Sequence, residues 1–178
     1  MPLMLTKEKL YCLDKGLYPM PVLSDNLRAV FSAGIKGHTK GFYSHFMWLI
    51  GPNTLASMGP RGFRIEKLDD YTRFHRLKVF FFPNWSQEDK QLVQDAIQAE
   101  LALPWYKRRY DFLAYLGHLT NWRWIQSPWS EVCSDMIKFA KLVEKDFGCR
   151  KFPNPQDVNE ALENLAPRCR VYGRYIPD

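Results

Sequence analysis

Apolar residues recur along this chain at two spacings, and the changes between them divide it into strands and helices. From Gly41 to Gly51 the run Gly-Phe-Tyr-Ser-His-Phe-Met-Trp-Leu-Ile-Gly is aromatic and β-branched and ends in Gly-Pro, which predicts a strand. Alternation places His45, Met47 and Leu49 on one side of that strand and Phe46, Trp48 and Ile50 on the other. Both sides are apolar, so the strand is expected in the middle of a sheet. Further strand-like runs follow at Thr54 to Met58, Phe63 to Lys67 and Leu77 to Phe82.

Helical spacing alternates with these runs. Leu27, Val30 and Phe31, with Ser24 or Asp25 as cap, predict a helix from Ser24 to Ile35, joined to the His45 strand by a Gly-rich link. Ser86-Gln87-Glu88-Asp89 reads as a capped start, followed by a core face of Leu92, Val93, Ala96, Ile97 and Leu101 before Pro104. Asp111 to Thr120 is expected to be helical, whereas Asn121 to Trp129 has no clear period. A last helix starts with Asn154 as N-cap, Pro155 at the first turn and Asp157 near its third position, with Val158, Leu162 and Leu165 on one face. Arg170 to Tyr175 can then add an edge strand. The expected fold is α+β, an antiparallel sheet packed against helices in a single domain.

Chemistry concentrates in the run Ser130-Glu131-Val132-Cys133-Ser134-Asp135. Met136, Ile137, Ala140 and Val143 predict an amphipathic helix, with Ser130 as N-cap and Gly148 just past the end. A thiol on the first turn faces unpaired backbone N–H groups and the positive end of the helix dipole, both of which favour thiolate. The plain alternative is an inert buried cysteine. His45 has the same two readings, a hydrogen-bonded core histidine or a base. Together they make a Cys-His dyad chemically sensible: the imidazole takes the thiol proton and later protonates a leaving group.

Ser44-His45 on a strand, then Tyr110-Asp111-Phe112, then Val132-Cys133-Ser134-Asp135 opening a helix follow one another in an order that resembles the circularly permuted papain-like cysteine hydrolases, the YiiX-like relatives of the NlpC cell-wall peptidases. The family's Cys-Ser-Glu-Leu-like stretch reads Cys-Ser-Asp-Met here. The resemblance covers residues 22–172 as a permuted papain-like core, with residues 1–21 as an N-terminal extension. It implies Cys133 as nucleophile and His45 as base, with Tyr110 and Ser44 on the substrate side. The family carries a third polar residue, often Glu, that orients the imidazole. Setting Met58-Gly59-Pro60 against the family's turn puts Ala56 in that slot, with Ser57 beside it and Thr54 two positions earlier as substitutes. The implied activity is peptidase, amidase or thioesterase chemistry on peptide, acyl-amide or lipid-like substrates, with no cofactor and no metal. The rival reading, favoured by Ala56, is a weak or inactive papain-like domain used as a binding or structural module.

Composition narrows the remainder. In 178 residues, 46% hydrophobic and 15% aromatic content is too rich for disorder and enough for one core. Cysteines at positions 12, 133, 149 and 169 show no metal-ligand spacing, so reduced thiols are expected. His38 and His75 lie in charged or Gly/Lys segments and are expected to face solvent; His118 follows Gly117 near the aromatic stretch. The start lacks a long apolar segment and no apolar run approaches ~18 residues, so the expectation is a soluble, cytoplasmic chain without a transmembrane segment. The formal charge of +6 suits acidic partners, and Lys107-Arg108-Arg109 with Trp105, Tyr106 and Tyr110 is the densest basic cluster. Without a recognised motif, nucleic-acid binding is not expected. Asp111 reads as a structural cap rather than a catalytic carboxylate.

Overall fold

The computed structural model describes residues 3–26, 42–109, 133–148 and 153–177. These form a mixed α+β fold around one seven-stranded sheet: β1 (Leu3–Leu5), β2 (Met20–Asn26), β3 (His45–Gly51), β4 (Thr54–Gly59), β5 (Gly62–Lys67), β6 (His75–Phe81) and β7 (Arg170–Tyr175). The strand order is β1-β7-β6-β2-β3-β4-β5. Every neighbouring pair is antiparallel except β1 with β7, which run parallel. The helices are α1 (Lys7–Tyr11), α2 (Leu68–Thr72), α3 (Gln87–Ala102) and α4 (Pro155–Asn164), together with short 3-10 turns at Lys15–Leu17 and Trp105–Lys107 and a longer 3-10 helix over Cys133–Leu142.

The period-two pattern of β3 sorts two cores onto the two faces of the sheet. Phe46 and Trp48 point into a cluster with Leu23, Ala56 and Phe80, closed by Val93 and Ile97 of α3, Met136 and Ile137 of the 3-10 helix, and Val158 and Leu162 of α4. Met47 and Leu49 point the other way, into a cluster with Val22, Leu55 and Leu77, closed by Leu10 of α1 and Leu68 of α2. A strand buried on both faces reads as continuous apolar sequence, which is why β3 lacks polar alternation.

Local signals explain the helix starts. Ser86 and Asp89 exchange a reciprocal capping box at α3. At α4 the Asn154 side chain accepts from the N–H groups of Gln156 and Asp157, Pro155 opens the helix, and Asp157 reaches back to the cap. The β4–β5 turn closes on Gly62 at φ +86°, where an added Cβ would lie 2.2 Å from the Arg108 carbonyl oxygen. Only glycine fits there, and the close approach lets Phe63 N–H donate to that same carbonyl at 2.9 Å.

Several elements differ from the sequence expectation. Ser24 and Asp25 do not cap a helix; they continue β2 to Asn26, because its backbone is paired on one side to β3 and on the other to β6. Ladder pairing on both sides outweighs a local cap signal. Residues 27–35 of the expected helix lie outside the described residues. Arg170 to Tyr175 does form a strand, but not an edge: β1 pairs with it from the other side, so residues 3–5 of the N-terminal segment complete the sheet. The helix after Cys133 ends at Leu142, well before Gly148, and has 3-10 rather than α geometry.

Candidate active site around His45 and Cys133

His45 opens β3, and the register of β3 with β4 decides what its ring meets. Met47 pairs with Ser57 and Trp48 pairs with Ala56, so Ser57 shares the His45 face while Ala56 faces the opposite core. His45 Nε2 lies 2.7 Å from Ser57 Oγ. The alignment slot at Ala56 is thereby corrected: the residue that holds the ring is its neighbour Ser57, one of the two anticipated substitutes. The other, Thr54, donates its hydroxyl to the Pro52 carbonyl at 2.9 Å and takes no part at the ring.

Behind Ser57 runs a polar chain that the sequence did not disclose. Tyr71 of α2 stacks on the His45 ring, with centroids 6.2 Å apart and planes 5° from parallel. Its hydroxyl lies 3.4 Å from Ser57 Oγ and donates to Glu66, which is also paired with Arg64. Arg64 and Glu66 share a face of β5 at i and i+2, the one sequence signal that could have found them. His75 packs on Tyr71 from another side, with centroids 4.8 Å apart. Its Nδ1 is buried with no hydrogen-bond partner among the described residues, so this histidine is half-buried rather than turned to solvent on all sides as its charged neighbours suggested. Burial holds His75 below the ordinary histidine range.

Burial also pushes the His45 imidazole down to about 4, with Glu66 opposing that shift and His75 adding to it. The resting ring is neutral at physiological pH. Nε2 belongs to Ser57, which leaves Nδ1 as the nitrogen for a second partner.

Cys133 lies on the 3-10 helix, with its expected N-cap Ser130 outside the described residues, and that helix is fixed against β3 by Trp48 Nε1 donating to the Met136 carbonyl at 2.9 Å. Ser134 Oγ donates to the Pro153 carbonyl and ties the same turn to the approach to α4. Burial pushes the thiol up to about 11, against backbone N–H groups of Phe46, Ser134 and Cys133 itself that stabilise the thiolate. The thiol lies in the core cluster that also holds Phe46, one residue beyond His45. The two side chains nevertheless part company. Cys133 packs in the core of Phe46 and Trp48, whereas the ring lies with Ser57 and Tyr71 on the face of Met47. No hydrogen bond joins thiol to imidazole, and both are neutral.

This electrostatic state has a direct signature. Iodoacetamide alkylation of Cys133 is expected to rise about tenfold per pH unit from neutrality and to level only near pH 11, because the thiolate is the nucleophile. Exposed Cys12 should react faster at pH 7. Mass-spectrometric mapping across pH checks this, and a plateau for Cys133 below pH 8 would instead reveal an ion pair with His45.

Of the remaining candidates, Ser44 is buried and its backbone N–H donates to the Ser24 carbonyl at 3.0 Å. Tyr110, Asp111, His38, His118 and Cys149 lie outside the described residues. In the basic cluster, Arg108 donates to the Phe63 carbonyl at 3.0 Å, and Arg109 stands 4.9 Å over the ring of exposed Trp105. Among the described residues no group of three or more His, Cys, Asp or Glu is placed to hold a metal ion, and no helix is long and apolar enough to cross a membrane. No protein-family model matches the chain, and no curated protein matches it significantly.

Proposed function

We propose that this chain is a cysteine hydrolase of the permuted papain-like type, cleaving an amide or ester bond with Cys133 as nucleophile and His45 as base. The observation that supports the reading is the seating of the Cys133 helix on β3: Trp48 Nε1 of that strand donates to the Met136 carbonyl at 2.9 Å, and Ser57 Oγ lies 2.7 Å from Nε2 of His45, which opens the same strand. In the reaction, the His45 ring has to turn from the Ser57 side of β3 to the side of the thiol; it then takes the Cys133 proton, the sulfur attacks the carbonyl carbon, and the imidazolium protonates the leaving amine or alcohol. Water then resolves the thioester. Because both groups rest neutral and on different faces of β3, the ion pair forms only with substrate bound. Peptides, acyl-amides and lipid-like esters are the substrate classes proposed.

A second reading, a silent papain-like module that binds rather than cleaves, is favoured by the separation of thiol and ring into different cores. One experiment separates the two. Incubation with activated acyl esters and a mixed peptide pool should give a thioester adduct on Cys133 by mass spectrometry and turnover that disappears in Cys133→Ala and falls in His45→Ala. Turnover that survives Cys133→Ala, or no adduct and no turnover in the wild type, would remove the hydrolase reading.

A further inference from the structure

On the sheet face that carries the Cys133 helix, a second constellation lies over β2, β6 and β7. Strand alternation puts Arg76 and Lys78 on that face of β6, the β6–β7 register sets Arg174 opposite Lys78, and the β2–β6 register sets Asp25 opposite Arg76. Above them α4 presents Gln156, Asn159 and Glu163 at i, i+3 and i+7, one stripe of the helix. Between strand and helix is a cavity of about 390 Å³, with Phe42, Tyr43 and Ile176 on its apolar side. That size suits a small organic ligand.

Lys78 is an unusual floor for such a cavity, because its side chain is almost wholly buried. A buried ammonium has to be satisfied. It donates to Asn159 Oδ1 at 2.6 Å and to the carboxylate of Glu163, and it sits 4.8 Å over the Phe80 ring. Glu163 is different, with 45% of its side chain exposed, so its carboxylate can swing into water while Lys78 cannot follow. Two of the three ammonium donors are used. Arg76 and Arg174 are exposed at the mouth, and neither guanidinium makes a side-chain hydrogen bond or ion pair among the described residues. Gln156 Oε1 is buried in the wall with no hydrogen-bond partner among the described residues, an acceptor open to a ligand's hydroxyl.

We propose that this groove binds an amphipathic carboxylate, whose head group takes the place that Glu163 occupies on Lys78, gains the forks of Arg76 and Arg174, and lays its apolar or aromatic part on Phe42, Tyr43 and Ile176. Glu163 acts as the built-in occupant: it shows that a carboxylate fits against Lys78, and it competes with the ligand. Planar guanidinium forks match a carboxylate in a way that a single ammonium does not. The site stands independently of any chemistry at Cys133.

The test is calorimetric titration with 3-phenylpropionate, expected to bind with a dissociation constant on the order of 0.1–1 mM. Lys78→Met should weaken binding by about tenfold or more, and Arg174→Gln, at an exposed position that does not threaten folding, by a few-fold. Glu163→Gln should tighten it several-fold, because the internal competitor is neutralised. The uncharged 3-phenylpropionamide and simple acetate should both bind far more weakly. Amide binding equal to the acid, undiminished affinity in Arg174→Gln, weaker binding in Glu163→Gln, or no binding by the wild type at ~10 mM ligand would each overturn the proposal.

Discussion

Replacing Trp48 by alanine is expected to destabilise the protein by about 3–5 kcal/mol and, in the same variant, to speed alkylation of Cys133. Trp48 has no exposed surface and is the largest fully buried side chain among the described residues. Its ring meets Phe46 edge-on, with centroids 5.8 Å apart, and its indole N–H donates to the Met136 carbonyl at 2.9 Å. Truncation removes the packing, leaves a cavity between β3 and the 3-10 helix, and takes one hydrogen-bond donor from the buried Met136 carbonyl. The comparison with Trp48→Phe divides these effects. Phenylalanine keeps most of the apolar volume but no donor, so its cost should sit near the roughly 0.5–1.5 kcal/mol of one lost hydrogen bond plus a smaller packing loss. Urea unfolding of the three proteins reads both numbers. A cost below ~1 kcal/mol for the alanine variant would mean that the Cys133 helix is not seated on Trp48 as described.

How far the sequence foretold this arrangement depended on whether the signal was local. His45, Met47 and Leu49 were assigned one face and Phe46, Trp48 and Ile50 the other, and both apolar faces do lead to separate cores, because side-chain alternation is a property of the strand itself. The caps at Ser86 and Asn154 were equally legible, since each is a short reciprocal contact between residues three apart. Ser24 and Asp25 misled for the opposite reason. Their cap-like character is local, but their fate was set by β3 and β6, which lie far along the chain. β1 escaped notice because three residues carry no period, and only the groove beside β7 makes them a strand.

The site divides along the same line. Cys133 on a helix and His45 on a strand were readable, yet the orientation of the ring was a matter of register between β3 and β4. One step of register decides whether Ala56 or Ser57 meets His45, and counting residues from the Gly-Pro turn settled on the wrong one of two neighbours. Glu66 and Tyr71 were invisible as partners because the link between them and His45 passes through Ser57 and through the packing of α2 on the sheet. The placement of Lys78 shows the same limit. A lysine in an apolar run looks like an interruption of a strand until α4 brings Asn159 and Glu163 over it.

The neutral state of His45 carries the last expectation, a loss of stability on mild acidification. An unfolded histidine takes up its proton near pH 6.5, whereas the folded ring resists until about pH 4 because burial penalises the charged form. Between those values the unfolded chain binds more protons than the folded one, so stability rises with pH and falls as pH is lowered. The loss should begin below about pH 6.5, grow by at most ~1.4 kcal/mol per pH unit, and approach about 3 kcal/mol near pH 4. His75, also lowered by burial, acts in the same direction. The lowered carboxyls of Glu66 and Asp69 add a further loss, but only where unfolded carboxylates begin to protonate, below about pH 5. The window from pH 6.5 to 5 thus belongs to the histidines. His45→Gln keeps a polar partner for Ser57 and removes one titration, so its stability should be flatter across that window than the wild type's. Urea midpoints at closely spaced pH values measure the difference. Parallel curves for the two proteins would mean that His45 takes its proton as readily in the folded chain as in the unfolded one, and that the ring is not held neutral between Ser57 and Tyr71.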